Sequence, residues 1–235
     1  MRIAFISDVH SAAKPYAAAL SAARAEGFDR LIILGDLLTY GPEPNQCLEL
    51  TAEAIERDGA ILLRGNHDAM YLDAGDYRRP LPEWIQDSVE WTRAEVGESA
   101  LDGFAFEERW SEGPLLVSHA NPFGRGDWSY LRSADDFERA AQVLADDGYR
   151  FGVFGHVHRA ARYERAGVIV HTIGSVGQPR DKLDPRPQWA LGEMTEAGFF
   201  LSNRPIEFDW RGHCRALQAT NMPEATIEQL CRFFK

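Results

Sequence analysis

The chain has few cysteines and few basic residues, and both scarcities exclude classes of function. Its 235 residues include three cysteines, Cys47, Cys214 and Cys231, without CxxC spacing. Neither a disulfide framework nor a thiolate zinc site is therefore predicted, and we expect reduced thiols. The 36 Asp and Glu residues outnumber the 25 Lys and Arg residues, which gives a formal net charge of -11. This balance argues against a nucleic-acid surface and a membrane surface, because both need clustered cations.

The N-terminus lacks a long apolar run. The sequence MRIAFISDVH contains one four-residue apolar run, which is too short for a signal peptide and far too short to span a bilayer. The chain shows no internal repeat and no low-complexity segment. Its 45% hydrophobic and 26% charged residues are typical of a globular protein with a sizeable core. We therefore expect a single cytoplasmic domain over residues 1–235.

Five short apolar runs each end, within three residues, in a side chain that can bind a metal or move a proton. Such runs are typical of strands buried on both faces, and ligands of open α/β sheets collect beyond the carboxyl ends of the strands. The sequence therefore predicts one site assembled from five strand ends. The runs are residues 3–6, 31–34, 61–63, 115–117 and 151–154, and the side chains are Asp8, His10, Asp36, Asn66, His67, Asp68, His119, His156 and His158.

Strand and helix patterns alternate in the first quarter of the chain. Residues 15–25 and 44–58 have helical spacing, and Gly27 and Gly59 are placed to end these helices. Two successive β-α-β units predict parallel strands with right-handed crossovers. The flanking strand patterns are residues 3–6, 30–34 and 60–63.

The pattern changes after this region. Residues 70–113 include a helical pattern at residues 83–95, and we expect them to form a helical insertion on the sheet edge near the active site. Short strands without intervening helices follow, and this meander predicts antiparallel pairing in a second sheet. Residues 222–235 are expected to hold a C-terminal helix, whose apolar stripe indicates core packing or a dimer contact. The predicted strands of the meander are residues 162–164, 168–172, 189–194, 199–202 and 206–210.

The candidate ligands combine oxygen and imidazole donors without thiolate. Such a set suits Mn, Fe, Co, Ni or Zn better than Ca or Mg, which prefer all-oxygen sites. One ion cannot use seven protein ligands and still leave a position for substrate. Two ions can, if one carboxylate bridges them, and paired metals about 3.5–4 Å apart are a recurring device for displacement at phosphorus. A closed site for a single structural zinc is the alternative.

The strings SDVH, GD, RGNHD, SH and GHVH occur in the order and setting of the calcineurin-like metallophosphoesterase superfamily, which the chain resembles over residues 1–194. The segments YGPEPN and GSVGQPRD resemble its bacterial branch of small single-domain phosphodiesterases and phosphatases. The resemblance implies an α+β fold, namely a four-layer α/β/β/α sandwich of two mixed β-sheets flanked by helices, the metallo-dependent phosphatase fold. It also implies two divalent transition-metal ions as cofactors, with Mn preferred and Fe, Zn, Co and Ni as alternatives.

The resemblance also assigns roles within the site. A bridging hydroxide, formed because the cations lower the pKa of water from 15.7 towards roughly 7, would attack phosphorus. His67 would act as general acid on the leaving group or as a donor to the transition state, and Asp68 is the nearest candidate to orient it. The resemblance places Asp8, His10, Asp36 and His158 on one metal and Asp36, Asn66, His119 and His156 on the other, with Asp36 as the bridge.

Three further residues are candidates for substrate contact. Arg64 matches a phosphate-binding arginine of the protein-phosphatase branch, with a surface ion pair as the alternative. Ser175 and Arg180 lie in a segment that is interpreted equally well as a substrate-side loop or a hairpin connection. The protein-phosphatase branch has Asp-Arg where this chain has Thr39 and Tyr40, so the usual partner of the catalytic histidine and a second phosphate-binding arginine are missing.

The predicted function is a dinuclear metal-dependent phosphoesterase that hydrolyses phosphodiester or phosphomonoester bonds of small substrates, nucleotides among them. Diesters and small nucleotides are preferred to phosphoproteins because the second arginine is missing. The alternatives are a phosphoprotein phosphatase of the Ser/Thr type and, in another class, a catalytically silent metal-binding scaffold. A scaffold would be expected to lose ligands or the catalytic histidine, and here all are present. The expected partner is a small phosphorylated substrate, and the oligomeric state stays open.

Overall fold

The computed structural model describes residues 1–73 and 81–234, which form two mixed β-sheets flanked by helices. None of the described helices has the length and apolar character needed to cross a membrane. In chain order the elements are β1 (Arg2–Ile6), α1 (Ala13–Glu26), β2 (Arg30–Ile33), α2 (Pro44–Asp58), β3 (Ile61–Leu63), α3 (Asn66–Leu72), α4 (Glu83–Val96), β4 (Phe106–Glu107), β5 (Arg109–Glu112), β6 (Leu115–Ser118), α5 (Ala134–Asp146), β7 (Phe151–Phe154), β8 (Ala161–Arg165), β9 (Val168–Thr172), β10 (Gln188–Thr195), β11 (Gly198–Pro205), α6 (Trp210–Gln218), α7 (Glu224–Cys231) and a 3₁₀ turn (Arg232–Phe234).

The larger sheet contains four neighbouring parallel strands, β1 to β4. It has the order β11-β10-β1-β2-β3-β4, in which β1 pairs in parallel with β2 and β2 with β3. The helices α1 and α2 connect these strands. Helix α2 begins at Pro44, whose fixed φ suits a first turn, and ends before Gly59, which adopts the left-handed conformation at φ 63°. The predicted parallel pairing in the two β-α-β units is confirmed.

The second sheet lies against the first, and each sheet has helices on its outer face. It has the order β5-β6-β7-β9-β8. In β1, Ala4 and Ile6 belong to the core under α1 and α2, while Ile3 and Phe5 belong to the core between the sheets. The side chains of α5 form a further core with β6, β7 and β9. Both faces of β1 are therefore buried, which explains its continuous apolar run.

We expected the strands after residue 160 to form one meander in a second sheet, and they do not. Strands β8 and β9 pair antiparallel in the smaller sheet, where β9 also pairs in parallel with β7. Strands β10 and β11 form an antiparallel hairpin that joins the larger sheet beside β1. The expectation was wrong because a local alternating pattern predicts an antiparallel neighbour without indicating which sheet the pair will join.

The predicted strand at residues 206–210 is also wrong. After β11 the chain turns into α6, where the Asp209 side chain accepts the backbone N–H of Gly212 at 2.9 Å as an N-cap. The predicted C-terminal helix at residues 222–235 contains α7 and the 3₁₀ turn. Lys235 lies outside the described residues.

The segment at residues 70–113 contains the predicted helix and two short strands that were not predicted. Helix α4 agrees with the predicted residues 83–95 to within one residue. Strand β4 joins the larger sheet beside β3, and β5 joins the smaller sheet beside β6. These strands have only two and four residues and carry mostly polar side chains, so they lack an apolar run. Residues 74–80 lie outside the described residues, and the description of the segment as an insertion stays a prediction.

Candidate metal centre

Five candidate ligands lie in the turns after β1, β2 and β7, and their backbones adopt an uncommon conformation. Asp8, His10, Asp36, His156 and His158 all have positive φ values between 47° and 65°. Non-glycine residues seldom adopt this region, and when they do they concentrate at functional sites, where the surrounding structure holds the strain. The uncommon backbone conformation therefore indicates that these five side chains are held at a functional site.

One cluster contains Asp8, His10, Asp36 and His158. All four residues are buried, and one ligand atom from each lies within 4.8 Å of the others. The Nε2 atom of His158 is 3.1 Å from Oδ1 of Asp8 and 3.2 Å from Nε2 of His10. The Nε2 atom of His10 is 3.7 Å from Oδ2 of Asp36. The structure thus brings together the four residues predicted for the first metal.

A second cluster shares Asp36 and adds His119 and His156. The Nε2 atom of His119 is 3.4 Å from Oδ2 of Asp36 and 3.2 Å from Oδ1 of Asn66. Asn66 therefore borders the second cluster through its amide oxygen. All seven predicted ligands converge, and Asp36 belongs to both groups.

Each histidine of the two clusters has one ring nitrogen against a backbone carbonyl. A carbonyl oxygen only accepts, so the ring nitrogen that faces it carries a hydrogen, and in a neutral ring the other nitrogen offers its lone pair to the cluster. Three rings are held through Nδ1 and one through Nε2. The contacts are His10 Nδ1 to Leu38 O (3.2 Å), His119 Nδ1 to Leu34 O (2.7 Å), His158 Nδ1 to Gln178 O (2.6 Å) and His156 Nε2 to Trp128 O (3.0 Å).

Two carboxylate oxygens at the centre have no hydrogen-bond partner among the described residues. They are Oδ1 of Asp8 and Oδ2 of Asp36, and both residues are buried. The nearest ring nitrogen to Asp8 Oδ1 belongs to His158, which with its hydrogen on Nδ1 presents a lone pair to that oxygen. Buried carboxylates without partners and lone pairs that face each other are costly unless a cation lies between them. The residues present therefore fit divalent metal ions.

Burial and charge shift the pKa values of the imidazoles. Burial lowers the pKa of His156 to about 3, with repulsion from His119 as a further cause. Burial also lowers the pKa of His10 and of His158. For His119, burial acts in the same direction, but the Asp36 carboxylate outweighs it and raises the pKa to about 9. Three of the four rings are thus neutral at pH 7, and His119 would release a proton on metal binding.

Asp68 holds the loop that carries Asp36. Its carboxylate accepts the backbone N–H groups of Asp36, Gly65 and Leu37 at 2.7, 2.8 and 2.9 Å. Burial raises the pKa of Asp68 to about 6, and the nearby Asp36 charge adds to this shift. These contacts correct the expectation that Asp68 orients His67, because both of its oxygens are engaged by the backbone.

The side chain that contacts His67 is Tyr40. Its Oη atom lies 3.0 Å from Nε2 of His67, and the two ring centroids are 4.8 Å apart. The backbone N–H of His67 donates to Oδ1 of Asp36 at 2.7 Å. Burial lowers the pKa of His67 to about 4. In the protein-phosphatase branch the partner of this histidine is an aspartate at the position of Thr39, whereas here Tyr40, at the position of that branch's arginine, makes the contact.

Two of the three predicted substrate contacts have structural roles. Arg64 forms ion pairs with Asp73 and, at 3.4 Å, with Glu108, so the surface ion pair is the alternative that the structure supports. Ser175 is fully buried, and its hydroxyl donates to the carbonyl of Asp8 at 2.8 Å. The same hydroxyl accepts two backbone N–H groups of its own turn. Ser175 therefore shapes the turn between β9 and β10, which corrects its assignment to the substrate.

Arg180 borders the site beside two of its histidines. After burial, its positive charge is the next cause that lowers the pKa of His158, and it also contributes to the lowered pKa of His67. Its backbone N–H donates to the carbonyl of His158 at 3.1 Å. Its guanidinium donates to Oε1 of Gln178 at 2.7 Å and lies 5.3 Å from the ring centroid of Phe233. Both side-chain partners are neutral, and no carboxylate of the described residues forms an ion pair with Arg180.

Comparisons with known proteins show similarity in sequence and in fold over nearly the whole chain. The sequence profile of the calcineurin-like phosphoesterase superfamily domain matches residues 1–196. The uncharacterized protein MJ0912 of Methanocaldococcus jannaschii is 26% identical, over 97% of this chain and 96% of that protein. A metallophosphoesterase from Sphaerobacter thermophilus has a crystal structure with a TM-score of 0.77 and 25% identity, over 99% of this chain and all of that one. The hypothetical protein PH1004 of Pyrococcus horikoshii OT3 has a TM-score of 0.82 at 16% identity over 97% of both chains, and this likeness concerns the fold.

Proposed function

The chain belongs to the calcineurin-like phosphoesterase superfamily, and from this premise we propose that it is a dinuclear metal-dependent phosphoesterase acting on small phosphate esters. One observation carries the proposal: two buried ligand clusters share Asp36 and contain two carboxylate oxygens without hydrogen-bond partners among the described residues. Asp8, His10, Asp36 and His158 would hold one cation, and Asp36, Asn66, His119 and His156 the other.

Two divalent cations, for which we propose Mn, would supply Lewis-acid activation of the ester and of the attacking water. The chain supplies orientation, because backbone carbonyls fix the imidazole rings and Asp68 fixes the loop of Asp36. His67 would donate a hydrogen bond from Nδ1 to the leaving-group oxygen. Burial lowers the pKa of His67 to about 4, so a neutral ring with an N–H donor is the form that acts at pH 7.

Small phosphodiesters and nucleotides are the substrates that we propose. The reacting phosphate of a diester carries one negative charge, whereas a phosphomonoester carries about −1.5 to −2 at pH 7. Arg180 has neutral side-chain partners and is free to meet a phosphate oxygen, while the guanidinium of Arg64 is held by two carboxylates. A single available guanidinium beside the site, counted over the described residues, suits the diester better than a phosphoprotein monoester.

The proposal also concerns the partner that the protein binds and its location in the cell. A small phosphorylated molecule is the partner that the site would accept. All three cysteines are buried, and Cys47 and Cys231 are free thiols, which supports a reducing, cytoplasmic environment.

Chelator-treated protein reloaded with Mn tests the proposed function. We expect Mn to restore hydrolysis of bis-p-nitrophenyl phosphate, with lower activity on p-nitrophenyl phosphate. An Asp36→Asn variant purified in parallel controls for contaminating phosphatases, since it should stay inactive. Absence of turnover on both esters and on nucleotides would overturn the proposal. A protein that binds two metals without turnover would instead be the silent scaffold, and one metal per chain would indicate a structural ion.

A further inference from the structure

A tyrosine holds His67 through one of the two ring nitrogens. The Oη atom of Tyr40 is 3.0 Å from Nε2 of His67, and both residues are buried. The Nδ1 atom of His67 is buried without a hydrogen-bond partner among residues 1–73 and 81–234. The His67 ring stands edge-on to that of His10, with centroids 5.0 Å apart. Nδ1 is therefore the atom left for a substrate, and Nε2 is the atom by which the protein fixes the ring.

Tyr40 is fixed in turn by elements outside the strand ends. Its backbone adopts a positive φ of 75°, and its N–H donates to Oγ of Ser88 at 2.7 Å. Its ring stacks on Trp84, with centroids 5.3 Å apart and planes 27° apart. Trp84 and Ser88 both belong to α4, and Phe233 of the C-terminal 3₁₀ turn packs on Trp84 at 5.8 Å. The phenol hydroxyl thus has a defined position that does not depend on His67.

We propose that Tyr40 is a positioning residue that holds His67 with Nδ1–H directed at the leaving-group oxygen, an inference that rests on the proposed function. A phenol hydroxyl can donate its hydrogen to Nε2, and the ring then carries its own hydrogen on Nδ1. A carboxylate at this place would only accept and would draw the ring hydrogen to Nε2. Thr39 stands where the protein-phosphatase branch has its aspartate, so Tyr40 contacts the histidine from the next position, and its hydroxyl makes the neutral ring a hydrogen-bond donor at Nδ1.

This role predicts a dependence on the leaving group. The hydrogen bond from Nδ1 stabilises charge on the departing oxygen, and more charge develops when that oxygen is more basic. An interaction that strengthens only in the transition state changes kcat and leaves KM nearly unaltered. Loss of the Tyr40 hydroxyl should therefore lower kcat most for esters with basic leaving groups.

Tyr40→Phe removes the hydroxyl, and Tyr71→Phe is a matched control. The Oη atom of Tyr71 lies 2.9 Å from Oγ1 of Thr39, so a second buried hydrogen bond joins the same loop after β2 to the same helix α3 without touching His67. The Mn-loaded proteins would be compared on methyl p-nitrophenyl phosphate and methyl phenyl phosphate, and on the corresponding monoesters. Since acid–base assistance contributes typically 10²–10⁴-fold, we expect Tyr40→Phe to lower kcat about 10- to 100-fold for the phenyl ester and less than about 3-fold for the p-nitrophenyl ester. Tyr71→Phe should change neither.

Nitrogen NMR of the zinc-loaded protein gives a readout that is independent of turnover. In the unaltered chain we expect His67 to carry its hydrogen on Nδ1, and we expect Tyr40→Phe to shift the Nε2 resonance while Tyr71→Phe leaves it in place. A hydrogen on Nε2 in the unaltered chain would overturn the proposal, and so would equal kcat losses in the two tyrosine variants. If the unaltered chain hydrolyses neither ester class, the proposed function fails, and the nitrogen resonances still decide whether Tyr40 sets the ring.

Discussion

Gly65 leaves no room for a side chain beside Asp36, the residue shared by the two clusters. A Cβ at position 65 would lie 2.1 Å from Oδ1 of Asp36 and 2.5 Å from its backbone nitrogen. Because real Cβ contacts are essentially never shorter than 3.0 Å, Gly65→Ala requires the Asp36 carboxylate to recede by about 0.9 Å. Metal–ligand distances tolerate about 0.2 Å, so both metals would lose a shared ligand. Gly65 itself has an extended backbone, φ −94° and ψ 172°, which alanine also adopts.

We expect Gly65→Ala to lose about 10- to 100-fold in metal affinity and to retain fewer than two metals per chain. Metal content after equilibration with Mn, and thermal unfolding with and without Mn, measure this loss. Gly59→Ala is the matched control, because Gly59 has φ 63° and nothing lies within 4 Å of the added Cβ. That change strains the backbone by about 1–2 kcal/mol and should leave the metal affinity unchanged. Unchanged affinity in Gly65→Ala, or an equal loss in Gly59→Ala, would refute the reasoning.

Three further changes probe single residues. His67→Gln should lower kcat about 10²–10⁴-fold with two metals still bound. Kinetics and metal analysis measure both quantities, and an unchanged kcat would contradict the role of His67. Arg180→Gln should raise KM about tenfold or more by removing a charge-assisted contact, whereas Arg186→Gln, at an exposed arginine, should leave KM unchanged. His213 lies outside both clusters, and burial lowers its pKa to about 4 from 6.5, so folding stability should fall by about 2 kcal/mol between pH 7 and pH 4.5. His213→Leu should flatten that slope in urea unfolding, and an unchanged slope would show that other groups cause it.

The ligand positions could be predicted from the sequence because each follows a buried strand or its turn. Asp8 and Asp36 come directly after β1 and β2, which are parallel neighbours, so their side chains emerge at the same edge. His156 follows β7 of the other sheet, and the packing of the two sheets brings that edge alongside. The apolar run and the ligand type both lie within a few residues, which is the range over which a local pattern is informative.

The contacts around the ligands depend on packing that no local pattern encodes. Tyr40 contacts His67 from a loop in which Thr39 and Tyr40 both adopt positive φ values, 78° and 75°, which their residue types do not indicate. Asp68 and Ser175 bond to backbone groups brought near by tertiary structure, so their chemistry alone pointed to the wrong role. The hairpin of β10 and β11 joins the larger sheet for the same reason, since its partner β1 lies far away in sequence.

Anomalous diffraction from a crystal of the Mn-loaded protein tests most directly whether two metals share Asp36. We expect two peaks about 3.5–4 Å apart on either side of the Asp36 carboxylate. One peak should lie against Asp8, His10 and His158, and the other against Asn66, His119 and His156. A single peak, or two peaks of which only one contacts Asp36, would contradict the shared-ligand arrangement.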